Sequence, residues 1–285
     1  MIGVYMASRN TEWAGLRLNR PLVMGILNTT PDSFSDGGRH FNPDAAIAAG
    51  QRMRSEGADI LDIGGESTRP GAEPVPVNLE IDRVVPVIRA LAADGAMISI
   101  DTRNAATMDA ALDAGARIVN DISALTHDPA SLPLVARRTC PVVLAHMRGT
   151  PETMNYHAIY NDVAAQVQAE LSALLDCALT AGVRPENICL DPGLGFAKRG
   201  TQNVTLLQAT ARLAALGQPL LIGLSRKRFL GEIAGEPMAA KRDPESLAAA
   251  IYAVSQGAHI LRVHDVAGTV KALRVWQRLN ERDDG

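Results

Sequence analysis

The chain has 285 residues, 47% of them hydrophobic, and a formal charge of −3. That near-neutral balance excludes a general electrostatic footprint for nucleic acid. The longest charge-free run, "SLAAAIYAVSQGAHIL", carries Gln, His and Gly and falls short of a membrane span. Only 4% of residues are aromatic, and an apolar share built from Ala, Ile, Val and Leu suits helices packed on parallel strands.

The first stretch, "MIGVYMASRNTEWAG", lacks a basic start followed by an apolar block, so no cleaved signal is expected. Residues 1–20 form an N-terminal extension in which "WAGLRLNRP" suits a short hairpin; residues 21–285 form the main domain. The first strand, 22–27 within "PLVMGIL", runs into "NTTPDSFSDGG", an eleven-residue stretch of turn chemistry from Asn28 to Gly38. From there one unit recurs: a helical stretch, a glycine, a short apolar strand. It reads "SEGADILDIGG", "ADGAMISIDT", "DAGARIVNDIS" and "SQGAHILRVHD", with Gly57, Gly95, Gly115 and Gly257 at the expected helix ends. Gly182 and Gly217 take the same place before "ENICLDPG" and "PLLIGLSR". Asn42-Pro43-Asp44, Asp128-Pro129 and Asp243-Pro244-Glu245 are helix-start signals.

The pattern predicts strands at 22–27, 58–63, 96–100, 116–119, 140–145, 187–190, 219–223 and 258–263. Helices are predicted near 43–55, 78–93, 104–113, 129–138, 159–181, 202–216, 243–256 and 266–280. Eight β-α units without a linker imply an α/β fold: a single (β/α)₈ TIM barrel, with the N-terminal hairpin capping its bottom. A doubly wound open sheet is the competitor, and neither G-x-G-x-x-G nor G-x-x-x-x-G-K-[ST] occurs to support it. Cys140, Cys177 and Cys189 lie in apolar contexts without a CxxC, which implies a reduced, cytoplasmic protein using cysteine as a small hydrophobe. His127, His146 and His157 lack metal-ligand spacing, so zinc is not expected.

Ligands of such barrels bind at the carboxyl ends of the strands. There the sequence offers Asn28, Asp62, Asp101, Asn120-Asp121, His146, Asp191, Ser225-Arg226-Lys227, Arg262 and His264. The set sorts by charge. Asp101, Asn120 and Asp191 suit the aminopyrimidinone edge of a flat heterocycle, since a carboxylate accepts two parallel N–H bonds. Arg69, Lys227, Arg262 and His264 suit a phosphate or diphosphate. Asn28, a neutral oxygen beside such a group, suits one position on Mg²⁺. Asp62 and Glu66 read as structural acids tying the second loop to the barrel rim.

Four long segments, "MGILNTTPDSFSDGG", "LDIGGESTRPGA", "DPGLGFAK" and "GLSRKRFLG", followed by "RVHDV", closely resemble the signatures of dihydropteroate synthase. The resemblance runs from about residue 16 to 276. It implies a (β/α)₈ barrel that condenses 6-hydroxymethyl-7,8-dihydropterin diphosphate with p-aminobenzoate. The products are 7,8-dihydropteroate and diphosphate, in a step of folate synthesis targeted by sulfonamides. Carried over by resemblance, the pterin pocket is Asp101, Asn120, Asp191 and Lys227, walled by Met147 and Phe196. The diphosphate and Mg²⁺ side is Asn28, Arg262 and His264, with Arg69. Phe34 and Asp36 of the first loop, with Thr68, Arg69 and Pro70 of the second, close over p-aminobenzoate. The family's reaction is thought to be dissociative, which gives the first loop a reason to order over substrate and exclude water.

Thr29 stands where the family more often has Val, and Leu194 where Phe is frequent. Arg228 follows "SRK" where Ser is common near the p-aminobenzoate carboxylate; it is either an added cation for that carboxylate or a solvent-facing arginine opening a helix. Two other readings share the pocket: a methyltetrahydrofolate-using methyltransferase barrel and a non-catalytic pterin-binding paralogue. The intact "NTTPDSFSDGG" and "SRK" count against the first, and the presence of Asn28, Arg69, Lys227, Arg262 and His264 against the second. The resemblance also implies a homodimer packed through outer helices.

Overall fold

A computed structural model describes residues 11–30, 42–66 and 75–281. Two short strands come first, β1 (Glu12–Trp13) and β2 (Leu16–Arg17), paired antiparallel with Trp13 opposite Leu16. Ala14 and Gly15 turn between them at φ 53° and 77°, the left-handed pair that a two-residue hairpin favours. Trp13 is buried, and its indole N–H donates to the Asn187 carbonyl at 3.0 Å.

Eight parallel strands follow: β3 (Leu22–Asn28), β4 (Ile60–Gly64), β5 (Ile98–Asp101), β6 (Ile118–Asp121), β7 (Val142–Ala145), β8 (Ile188–Asp191), β9 (Leu221–Gly223) and β10 (Ile260–Val263). They pair in the order β8-β7-β6-β5-β4-β3-β10-β9. A single parallel bridge, Leu190 opposite Leu220, joins β8 to β9 and completes the circuit. Between the strands run α1 (Pro43–Glu56), α2 (Val77–Ala93), α3 (Ala105–Ala114), α4 (Ser131–Arg138), α5 (Val163–Thr180), α6 (Gly200–Gln208), α7 (Thr210–Ala214), α8 (Arg228–Ala234) and α9 (Asp243–Ser255); α10 (Val266–Asn280) follows β10. This is the (β/α)₈ barrel. Among the described residues no helix is long and apolar enough to cross a membrane.

Strand alternation divides the core in two. Val23, Leu61, Ile63, Ile98, Val119, Leu190 and Leu261 pack outward against the helices. Leu22, Met24, Ile60, Ile118, Val143, Cys189, Leu221 and Ile260 fill the lower lumen, with Trp13 and Leu18 of the hairpin segment in the same cluster. The hairpin is thus a stopper for the amino-terminal end of the barrel.

The strands after Gly57, Gly95, Gly115 and Gly257 begin two residues later than the pattern predicts, for one physical reason. At Gly57, Gly95, Gly115, Gly182 and Gly257 the backbone is left-handed, and the next residue's N–H returns to the helix. Ala58 donates to Met53, Ala96 to Leu91, Ala116 to Ala111, Val183 to Ala178 and Ala258 to Ala253. Those N–H groups close a Schellman motif and are not available to the sheet. Asn42 caps α1 as read, accepting from Asp44 and Ala45 N–H at 3.0 and 3.2 Å. The other two start signals differ. Asp128 accepts from Ala130 N–H but also from Ala105 N–H at the start of α3, each at 2.9 Å. Asp243 lies inside α9, and its two carboxylate oxygens hold Arg226.

The predicted helix 202–216 is interrupted at Ala209, where the buried Thr210 hydroxyl donates to the Leu207 carbonyl at 2.6 Å and competes with the helical ladder. The seven residues of α8 form an additional helix in the seventh crossover. Cys140 and Cys189 are buried as expected, whereas Cys177 is exposed on the outer face of α5.

Candidate active site

On four strands the lumen residue two positions beyond an apolar one is polar. Ile60 gives way to Asp62, Ile118 to Asn120, Cys189 to Asp191 and Ile260 to Arg262; β5 contributes Ser99 and Asp101. Arg262 lies at the centre of this layer. Its Nε donates to Asp62 Oδ2 and its Nη2 to Asp101 Oδ2, both at 2.5 Å. Asn120 Nδ2 donates to the same Asp62 oxygen at 3.0 Å. Asp62 is 0% exposed, where an unpaired carboxylate costs several kcal/mol, so the guanidinium and amide are what make its charge tenable. In turn Asp62 orients them: with Nδ2 engaged, Asn120 has Oδ1 as its acceptor toward a ligand. Asp62 therefore acts inside the lumen, within the cluster, and does not tie the second loop to the rim. Glu66 does make that tie, accepting from Arg103 Nε and Nη2 and from Val75 N–H at 3.2 Å each.

The charges interleave instead of separating into an acidic and a basic half. Burial raises the Asp101 carboxyl to about 7, against the opposing pull of Arg262. Asp191 is raised by burial as well, with Lys227 and the Gly193 N–H working the other way. That N–H donates to Asp191 Oδ1 at 2.7 Å. Lys227 is lowered by burial to about 8, with Asp191 supporting its charge and Arg262 opposing it. Three carboxylates and two cations thus share one small volume, with a surplus of acceptors for a donor-rich ring edge.

The segment after β8, "DPGLGFAK", builds the wall beside Asp191. Gly193, Gly195 and Ala197 all have positive φ (65°, 82° and 50°), which folds the segment back on itself. A Cβ on Gly193 would lie 2.0 Å from the His146 carbonyl oxygen, so only glycine fits there. Lys227 Nζ donates to the Leu194 carbonyl and lies 4.5 Å from the centroid of the Phe196 ring, a cation–π contact. Met147 follows β7 and is half-buried.

Asn28 ends β3, half-buried. His264 follows β10, and Ser225 Oγ accepts its backbone N–H at 3.1 Å while lying 2.9 Å from Nδ1. A hydroxyl has one proton and two lone pairs, so Ser225 meets Nδ1 in either tautomer and orients the ring without choosing between them. Arg226 takes no part in the cluster: its Nε and Nη2 bind Asp243 at 2.7 and 2.9 Å. Arg228 lies outside the cluster too. Its side chain is 88% exposed and Nε donates to Glu232 one turn along α8 at 2.7 Å, the solvent-facing arrangement. Phe34, Asp36, Thr68, Arg69 and Pro70 lie outside the described residues.

The sequence reading missed the role of three residues. Asp62 was visible as a strand end, but only the barrel register shows that it points inward. Ser225 was visible in the same way, and only the approach of β10 to β9 gives it His264. Lys198 was visible only as the last letter of "DPGLGFAK"; it is 5% exposed, with Nζ between His146 and the backbone of its own loop.

A family model described as pterin binding enzyme matches residues 24–264. The dihydropteroate synthase of Mycobacterium leprae is 48% identical over 259 residues, covering 89% of this chain and 91% of that protein. That of Escherichia coli K12 is 44% identical over 265 residues, 93% of each. Among solved structures, Xanthomonas albilineans dihydropteroate synthase with 4-aminobenzoic acid has a TM-score of 0.89 at 48% identity, covering 94% of this chain and 97% of that one. The enzyme from that organism in complex with 7,8-dihydropteroate has a TM-score of 0.86 at 46% identity, covering 94% and 96%. The chain belongs to the pterin-binding enzyme family, among its dihydropteroate synthases.

Proposed function

We propose that this chain condenses 6-hydroxymethyl-7,8-dihydropterin diphosphate with p-aminobenzoate, giving 7,8-dihydropteroate and diphosphate. The observation that carries the reading is the cluster at the open end of the barrel, in which buried Asp62, Asn120 and Asp191 meet half-buried Asp101, Lys227 and Arg262. Asp191, Asp101 and the Asn120 carbonyl accept from the N–H groups of the pterin edge, Lys227 donates to the ring, and Met147 and Phe196 flank it. Arg262, His264 and Asn28 face the departing diphosphate.

The methylene C–O bond breaks with its electron pair leaving on diphosphate, and Arg262 and His264 offset that charge. The aniline nitrogen, neutral at pH 7, then gives its lone pair to the methylene carbon, and the N–H proton passes to water or to diphosphate. An activated nucleophile is not required. Mg²⁺ held on the diphosphate would neutralise further charge, with Asn28 Oδ1 as a protein ligand. Among the described residues no group of three His, Cys, Asp or Glu could hold such an ion, and one amide oxygen suits Mg²⁺ that keeps phosphate and water ligands. In this reading the protein is cytoplasmic and homodimeric through its outer helices; sedimentation at the mass of a single chain, 30.2 kDa, would contradict the dimer.

The test is diphosphate release from the dihydropterin diphosphate, with and without p-aminobenzoate. Release coupled to 7,8-dihydropteroate formation supports the proposal. Binding without release would make the chain a non-catalytic pterin binder, and methyl transfer from methyltetrahydrofolate would make it a methyltransferase barrel.

A further inference from the structure

We infer that Lys198 is a positioning residue: its buried ammonium clasps the segment 193–197 from beneath and thereby sets Phe196 and Lys227 against the pterin ring. The inference rests on the proposed function above. Three acceptors lie within 3.0 Å of Nζ: Phe196 O at 2.8 Å, His146 Nδ1 at 2.9 Å and Gly193 O at 3.0 Å. The His146 carbonyl is more distant, at 3.4 Å. An ammonium has three N–H groups and no lone pair, so donors match near acceptors one for one. His146 must then accept at Nδ1 and carry its proton on Nε2, which lies 2.8 Å from Glu170 Oε2. Burial, followed by the Lys198 charge, holds that imidazole down at about 4, consistent with a neutral acceptor.

The clasp continues outward. Glu170 accepts from Arg148 Nε at 3.0 Å, and Arg148 lies 3.9 Å from the centroid of the Tyr160 ring. Upward it meets the pocket. Gly193 O accepts from both Lys198 and the Phe196 N–H (3.0 Å), Leu194 O accepts from Lys227, and the Phe196 ring faces Lys227. The segment has left-handed backbone at alternate residues and no sheet partner of its own, so the ammonium takes the place of a ladder. A buried charge is an expensive way to add stability: Lys198 is held down at about 7, chiefly by burial and against the supporting charge of Asp191. That cost makes sense where loop geometry, and not stability, is what matters.

Steady-state kinetics on Lys198→Met and Lys198→Gln test the inference. Lys198→Met should raise KM for the dihydropterin diphosphate about 10–100-fold, with kcat and the KM for p-aminobenzoate each changing less than about 3-fold. Lys198→Gln, which keeps two donors without the charge, should fall between it and the wild type. A merely structural residue would lower the active fraction, reducing apparent kcat at unchanged KM; that result, or equal rises in both KM values, overturns the inference. Glu170→Gln covers the case in which both lysine variants misfold. It leaves Lys198 in place and loosens His146, so KM for the pterin substrate should rise about 2–5-fold, and no rise overturns the inference. Absence of diphosphate release by the wild type would instead defeat the proposed function itself.

Discussion

The two halves of the barrel lumen are built by the same strands and share no chemistry. Below, Leu22, Met24, Ile60, Ile118, Val143, Cys189, Leu221 and Ile260 pack under Trp13 and Leu18. Above, Asp62, Asp101, Asn120, Asp191 and Arg262 occupy the next inward positions. The change takes one inward step, two residues or about 6.6 Å along a parallel strand. The lower half is a core in the ordinary sense and holds the circle closed. In the upper half Arg262 pairs with Asp62 and Asp101 while Asp191 accepts from the Gly193 N–H, and a ligand can engage the acceptors that these contacts leave over.

That contrast separates stability from recognition, and substitutions can break it. The largest expected effect is at the stopper: Trp13→Ala should cost about 3–5 kcal/mol in denaturant unfolding while leaving both KM values unchanged. A rise in the pterin KM would mean that the halves are coupled. In the upper layer, Arg262→Met should lower kcat/KM roughly 10²–10³-fold if the guanidinium stabilises the leaving charge in a closed site. A loss of less than about 3-fold would remove Arg262 from the mechanism.

Acid stability sharpens the comparison from below. His259, 3% exposed at the foot of the barrel, accepts the Leu220 N–H at Nδ1 (3.2 Å), and burial lowers it to about 4. The unfolded chain protonates this histidine near its ordinary value, 6.5, whereas the folded one resists until about 4. Stability therefore falls as pH drops from about 6.5 to 4, by an amount on the order of 3 kcal/mol for this residue. The stability difference between wild type and His259→Gln should be constant above about pH 6.5, change steadily down to about pH 4 and be constant again below it; an unchanging difference from pH 7 to 4 would refute the assignment. The smallest effect is at Arg228. With its guanidinium exposed and paired to Glu232, Arg228→Ser should change KM for p-aminobenzoate less than about 2-fold. A selective rise above that would restore it as a carboxylate contact.

The architecture was legible because its signals are local. A glycine such as Gly57 or Gly115 ends a helix, and an apolar run such as "ILDIG" begins a strand, whatever the rest of the chain does. Even the two-residue lag in strand starts has a local cause, the return of the Ala58 or Ala116 N–H to the helix. The seven residues of α8 were legible only through one reading of Arg228, as the opening of a helix, since "RFLGEIA" is too short for a helical period to show. Residues of the site were legible by type and strand, but their pairing was not. That Arg262 is shared by Asp62 and Asp101 depends on three strands meeting across the lumen. Lys198 looked like one more lysine, because its acceptors are backbone carbonyls and a histidine 52 residues away.

The claim beneath all of this is that ligand recognition begins at the upper lumen layer. Calorimetric binding of the dihydropterin diphosphate to two variants of β8 tests it directly. Asp191→Asn should weaken binding by about 10–100-fold, the scale of a hydrogen bond to a charged group, whereas Cys189→Ala, one inward step below, should stay within about 3-fold of wild type. Equal affinities for the two variants, or a greater loss at Cys189, would contradict the account.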